Sequence, residues 1–270
     1  MEFLRTFTDQ MQHEVKLTSL PKRIVSLVPS QTELLHDLGL HEEVVGITKF
    51  CIHPDEWFRT KTRVGGTKQY HFDKIELLQP DLIIGNKEEN DEEQVRALQQ
   101  QYPVWMSDIH NLDEALDMIR KIGSLTGRAE KAEQIAQNIA FEFQQLETEM
   151  SGMRSLRVAY FIWRNPYMAA GHNTFIDSML SRLRMSNVFG AGRYPETTLE
   201  ELQELAPEIV LLSSEPYPFK DQHIAEIQNA VPGAVILLVD GEMFSWYGSR
   251  LMKAPGYFRE VIHTIQRSVH

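Results

Sequence analysis

Leu77-Leu78-Gln79-Pro80-Asp81-Leu82-Ile83-Ile84 and Glu204-Leu205-Ala206-Pro207-Glu208-Ile209-Val210-Leu211 state one pattern twice. In each copy a helix ends, a proline prevents its continuation, an acid follows, and an apolar run begins that is short enough to be a buried parallel strand. Solenoid repeats recur every ~20 to 50 residues, and the two copies lie too far apart for that in a chain of 270 residues. They imply two similar α/β lobes with a cleft between them.

Around the first copy, strand and helix alternate. Arg23 to Val28 is β-branched and stops at Pro29, after which Ser30-Gln31-Thr32-Glu33 has capping-box spacing. A helix from Thr32 to Leu38 is expected to end at Gly39. Val44 to Ile47 reads as a strand, Phe50 to Thr67 as a long irregular loop, Phe72 to Leu78 as a helix, and Leu82 to Ile84 as the repeat strand. Asn90 is the expected N-cap of the next helix, followed by the strand Val104 to Met106. This is the pattern of a parallel sheet with helical crossovers.

From Arg128 to Met150 there is no Pro or Gly, and Ala132, Ile135, Ala136, Ile139, Phe143 and Leu146 fall at spacings of three and four. An amphipathic helix of about 23 residues, about 34 Å long, is predicted. A helical connection of that length should restrain the lobes it joins. The second lobe restarts with the strand Leu156 to Trp163 and continues through helices at Thr174 to Leu183 and Leu199 to Leu205, strands at Ile209 to Leu212 and Val235 to Val239, and a closing helix from Met252 to Ser268. The fold class is therefore α/β, with two Rossmann-like lobes of parallel sheet joined by one long helix. The boundaries are 1–124 for the first lobe, 125–152 for the helix and 153–270 for the second.

Composition narrows the function classes. Hydrophobic residues are 42% and charged residues 24%, as in ordinary globular domains. A net charge of −11 argues against a nucleic-acid partner, which needs a basic face. No run approaches the ~20 apolar residues of a membrane span. Met1 to Leu20 lacks the basic start and apolar centre of a secretory signal, so as written a cytoplasmic location is expected. The single Cys51 excludes an intrachain disulfide.

Pro21-Lys22-Arg23-Ile24-Val25-Ser26-Leu27-Val28-Pro29-Ser30-Gln31-Thr32-Glu33, Gly65-Gly66-Thr67 and Leu78-Gln79-Pro80-Asp81-Leu82-Ile83 resemble the helical-backbone substrate-binding proteins of bacterial ABC importers. Within that group the chain is similar to the cobalamin-binding branch, close to the siderophore-iron and haem receptors, and the similarity runs from about residue 20 to the C-terminus. The resemblance implies a non-catalytic, monomeric binder of cobalamin or a related corrinoid, working outside the membrane. It also leaves open a ferric siderophore, haem or metal-ion binder, or a cytoplasmic corrinoid or metal carrier or sensor. Glutamates that such proteins present to permease arginines match Glu92 and Glu200 here. Both also sit in first helical turns, where the macrodipole alone favours an acid.

The resemblance places the ligand against loops that follow strands. Those loops hold Phe50, His53, Tyr70, Trp163, Arg164, Tyr167, His172, Tyr194, Phe244, Trp246, Tyr247 and Arg250. Flat aromatic faces suit a corrin or other metal chelate. Trp246 and Tyr247, flanked by Ser and Gly, are expected to be exposed, while Trp163 and Phe244 suit core and ligand equally. Arg164 and Arg250 could pair with ligand carboxylates or phosphate. Lys87-Glu88-Glu89-Asn90, after the first repeat strand, occupies another such loop. Direct metal ligation would use Cys51, His53, His71 and His172, or a single axial His53 or His172, although no tight Cys or His motif occurs. Candidate nucleophiles exist, notably Cys51 two residues before His53, and a metal-dependent enzyme is the remoter alternative. No phosphate loop, Gly-x-Ser-x-Gly elbow or dinucleotide fingerprint is present, so neither catalysis nor a catalytic cofactor is expected.

Overall fold

The structure is a computed structural model and describes residues 5–268. These divide into two compact units, described separately. The first runs through Ile109 and takes in Asp113–Ile139 and Tyr247–Arg250; the second holds His110–Leu112, Ala140–Trp246 and the chain from Leu251 onward.

In the first unit a hairpin, β1 (Arg5–Thr8) and β2 (Glu14–Leu17), precedes β3 (Ile24–Ser26), α1 (Pro29–Asp37), β4 (Val44–Ile47), α2 (Asp55–Thr60), β5 (Thr62–Arg63), α3 (Phe72–Leu78), β6 (Leu82–Asn86), α4 (Glu92–Gln99), β7 (Val104–Ser107), nearly all of α5 (Leu112–Leu125) and the first half of α6 (Ala129–Met150), which belongs to the second unit from Ala140. The five-stranded sheet is wholly parallel, in the order β5-β4-β3-β6-β7. β3 is central because it is apolar on both faces, and the chain builds outward from it in one direction before crossing back to β6. The strand-order reversal between β3 and β6 is where such sheets bind ligands. The region 50–67 is not one long loop: Trp57 is 1% exposed and anchors α2, whose first turn carries Asp55 and Glu56.

The second unit continues with β8 (Leu156–Trp163), β9 (Tyr167–Ala169), α7 (Phe175–Arg182), β10 (Met185–Asn187), β11 (Glu196–Thr197), α8 (Leu199–Leu205), β12 (Ile209–Ser213), α9 (Asp221–Ala230), β13 (Val235–Val239), α10 (Gly241–Ser245) and α11 (Ala254–Ser268). Its sheet order is β11-β9-β8-β12-β13, with β10 also on β8. The parallel core β10, β8, β12 and β13 carries an antiparallel edge of β9 and β11. The predicted apolar stripe of α6 is buried at every position named for it.

The repeated motif turns out to be a clip. In the first copy, Gln79 takes a left-handed conformation (φ 44°) and lets α3 turn into Pro80. Asp81 then accepts from the amides of Lys22 (2.8 Å) and Arg23 (2.9 Å). Arg23 Nε donates back to Leu78 O, a terminal carbonyl of α3, at 2.6 Å. In the second copy Ala206 is left-handed (φ 43°), Glu208 accepts from Arg157 N at 2.9 Å, and the Arg157 guanidinium donates to the terminal carbonyls of Leu205 and Ala206. The acid after each proline thus ties the repeat strand to the first strand of its sheet, setting Ile24 against Leu82 and Val158 against Ile209.

Two local expectations are corrected. The N-cap of α1 is Val28, without a side-chain cap, and Pro29 occupies the first turn. Ser30 and Glu33 form no capping box, because Glu33 Oε2 accepts from Arg250 Nε at 2.8 Å in an ion pair whose side chains are 8% and 9% exposed. Asp91, not Asn90, caps α4 through the Gln94 amide.

Asp81→Ala and Glu208→Ala should each lower stability by about 1 to 2 kcal/mol in urea unfolding, the worth of charge-assisted bonds discounted for solvent exposure. The Arg157 amide is the main cause that holds the Glu208 carboxyl below its usual 4.5. Its stabilisation is therefore present above that value and fades as pH falls through the depressed one. The Glu208→Ala deficit should vanish in strong acid. Arg250→Met, which leaves Glu33 buried without its cation, should cost about 3 to 5 kcal/mol, and adding Glu33→Gln should restore a large part of it.

Candidate functional site

The C-terminal ends of the parallel strands define one rim on each unit. On the first unit, buried polar side chains weave the loops after β3, β6 and β7 together. Gln31 Nε2 and Asn86 Nδ2 both donate to Ser107 Oγ, at 2.6 and 3.0 Å. Asn86 Oδ1 accepts from the amides of Glu88 and Glu89. Asn90 Oδ1 accepts from Asn86 N at 2.8 Å, while its Nδ2 reaches Thr67 O and Leu27 O. Asn90 therefore shapes the loop that follows β6. After β4, Phe50 and Ile52 are 50% and 45% exposed, with Lys49 Nζ 5.0 Å from the centre of the Phe50 ring.

Several residues predicted for ligand contact belong to the framework of this rim. Tyr70 is buried in the core, and its hydroxyl donates to Thr67 O at 2.9 Å. Burial pushes its pKa above the ordinary phenol range. Tyr247 is buried rather than exposed because its hydroxyl reaches Glu89 Oε1 at 3.2 Å. Gly248 follows it where a Cβ would lie 2.4 Å from Ser30 O; only glycine permits that approach. Arg250 is committed to Glu33.

The metal ligands suggested by sequence do not gather. Cys51 is fully buried, with Thr32 Oγ1 and Thr48 Oγ1 each 3.1 Å from its sulfur. Burial raises its pKa to about 11, which disfavours the thiolate needed for nucleophilic attack or metal binding. His53 is half-buried, and His71 and His172 are exposed. Among the described residues, no group of three His, Cys, Asp or Glu side chains could hold a metal ion.

On the second unit, Trp163 is 41% exposed and stands edge-on to Tyr217, ring centres 5.8 Å apart. Tyr217 in turn packs on Phe219 at 4.8 Å and approaches His223 Nε2 with its hydroxyl at 3.3 Å. His223 Nδ1 accepts from Lys220 N, which assigns the ring proton to Nε2 and lets it donate to that hydroxyl. Sequence reading found Trp163 but not the shelf beneath it. Arg164 donates to both oxygens of Glu226, at 3.0 and 2.8 Å, and lies 5.9 Å from the Tyr167 ring. Tyr167 packs on Phe161, Tyr194 lies under Arg193, and Phe244 is core, against Tyr160 and Phe258. Trp246 is 6% exposed, since its Nε1 donates to Glu215 Oε1 at 3.0 Å.

Glu215 itself was missed. Burial, then the charges of Glu242 and Asp240, raise its carboxyl pKa, against the lowering bonds from Ser245 and Trp246. The signal was available in the repeat, because Ser213-Ser214-Glu215 leads out of β12 as Asn86-Lys87-Glu88 leads out of β6, each triplet starting on the last residue of its strand. Glu92 is exposed in the first turn of α4 and paired with Arg96 at 2.5 Å. Glu200 is exposed in the first turn of α8, its pKa lowered by the helix-start amide and Thr198.

Comparisons with known proteins agree with this architecture. The chain is 24% identical over 242 residues to the vitamin B12-binding protein of Pectobacterium carotovorum, covering 87% of this chain and 86% of that one. It is 25% identical over 271 residues to an uncharacterized ABC transporter substrate-binding lipoprotein, YvrC, of Bacillus subtilis, covering 96% and 85%. Among solved structures, the periplasmic vitamin B12-binding protein BtuF of Vibrio cholerae superposes with a TM-score of 0.79 at 20% identity, over 92% of this chain and 99% of that one; at that identity the likeness concerns the fold. The periplasmic binding protein family model matches residues 24–231, and the chain belongs to that family.

Proposed function

We propose that this chain is the substrate-binding protein of an ABC importer and that its ligand is cobalamin or a related corrinoid. The observation that carries the reading is the similarity to a vitamin B12-binding protein over most of both chains. The rims add physical support. Phe50 and Trp163 offer exposed aromatic faces at strand ends, while Arg164 and Arg250 are already neutralised by Glu226 and Glu33. Cations committed to internal carboxylates are poorly placed to recruit the propionates of haem or an anionic siderophore. The sealed Cys51 thiol supports binding without catalysis. The protein would work outside the cytoplasmic membrane, as the name of the periplasmic Vibrio cholerae protein describes for that protein. Glu92 and Glu200 would meet arginines of the permease. No helix among the described residues is long and apolar enough to cross a membrane.

Titration with cobalamin, haem and a ferric siderophore, followed by tryptophan fluorescence, tests the ligand. Cobalamin should bind tightest, and saturable binding of haem or siderophore without cobalamin binding would overturn the reading. Trp163→Ala should weaken cobalamin binding by about 1 to 3 kcal/mol, the worth of one stacked aromatic face, while the chain still folds cooperatively, because the residue is 41% exposed. The double variant Glu92→Arg/Glu200→Arg should keep cobalamin affinity in solution within about twofold, since both acids are exposed in the first turns of their helices, and should abolish uptake in a reconstituted importer through charge reversal. Normal uptake would remove both residues from the docking surface.

A further inference from the structure

Glu215 is held by more of the chain than any packing role requires. Two residues beyond the end of β12, its Oε1 accepts from both Ser245 Oγ (2.7 Å) and Trp246 Nε1 (3.0 Å). Its backbone is pinned by Ser213, whose Oγ accepts from Glu215 N at 3.3 Å and donates to Glu215 O at 2.6 Å. The start of α10 must be glycine for this loop to fit, because a Cβ on Gly241 would lie 2.3 Å from Ser213 Oγ and 2.7 Å from Glu215 Cγ. Both side-chain donors converge on Oε1, which leaves Oε2 outside the clamp, and the residue is only half-buried. An amide would anchor the indole as well as the carboxyl does, without the repulsion that the carboxyl meets from Glu242 and Asp240. The charge therefore calls for a use.

We propose that Glu215 is a specificity-determining residue that reads the periphery of the ligand: Oε2 accepts a hydrogen bond from a carboxamide N–H and repels a carboxylate at the same position. The substrate class is an amide-bearing corrinoid, as against tetrapyrroles or corrins that carry acids. This rests on the corrinoid reading above and deepens it. A fold that serves cobalamin, haem and siderophore receptors alike must place its selectivity in side chains at the strand ends, and Glu215 is an orientated charge at such an end.

The test pairs two probes that share one ring, dicyanocobinamide, with amide side chains, and cyanocobyrinic acid, with carboxylates in their place. Affinities are measured at neutral pH for the wild-type chain, Glu215→Gln, Glu215→Ala and, as a control for net charge, Glu93→Gln. The glutamine keeps an acceptor for Ser245 and Trp246 and removes the charge. Glu215→Gln should bind cobinamide within about threefold of wild type and cobyrinic acid about tenfold more tightly, the effect of relieving one like-charge contact. Glu93→Gln should leave the ratio of the two affinities unchanged. A ratio in Glu215→Gln equal to wild type, or an equal loss of both ligands in Glu215→Gln and Glu215→Ala, would reduce Glu215 to a support for Trp246 and overturn the inference alone. If the wild-type chain binds neither corrinoid, the corrinoid reading falls and this inference with it.

Discussion

The architecture depends on one clip used twice. An acid after a helix-ending proline takes the amide of an arginine at the first strand of its sheet, and that arginine caps the helix the proline ended. The arrangement solves two problems at once. Terminal helix carbonyls have no partner within the helix, and parallel strands from distant parts of the chain need their register fixed. Because one pair of residues does both, the C-terminal strand ends are fixed relative to the helices, and each rim inherits its geometry from an interaction at the opposite end of its sheet.

The rims are finished by buried polar groups rather than by the aromatics that first attract notice. Asn86, Asn90, Gln31 and Ser107 hold the loops of the first unit; Ser213, Ser245 and Trp246 hold Glu215 in the second. Buried networks of this kind are stiff, since each group that lost its partner would pay its desolvation. A binding protein gains from such stiffness because less ordering is lost when the ligand arrives. The cations are spent in the same way: Arg164 and Arg250 balance internal carboxylates, and in a chain of net charge −11 the field left over favours ligands that are neutral or cationic.

The repeat, the alternation of elements and the apolar stripe of α6 were legible in the sequence because they rest on periodicity and on proline stereochemistry, which act within a few residues. The strand Leu156–Trp163 and the fold class followed from the same local signals. What could not be read locally was the fate of each functional-looking side chain. Trp246 and Tyr247 sit among Ser and Gly, as exposed residues do, yet are buried because Glu215 and Glu89 reach them from elsewhere in the chain. Glu33 stands in capping-box spacing and ignores it, because Arg250 comes to it from 217 residues away. By itself the sequence determined the two α/β units and the strand-end rims that each presents. Only the tertiary structure decided which aromatics face outward and which charges remain uncompensated, since burial and charge pairing depend on partners that sequence separation hides.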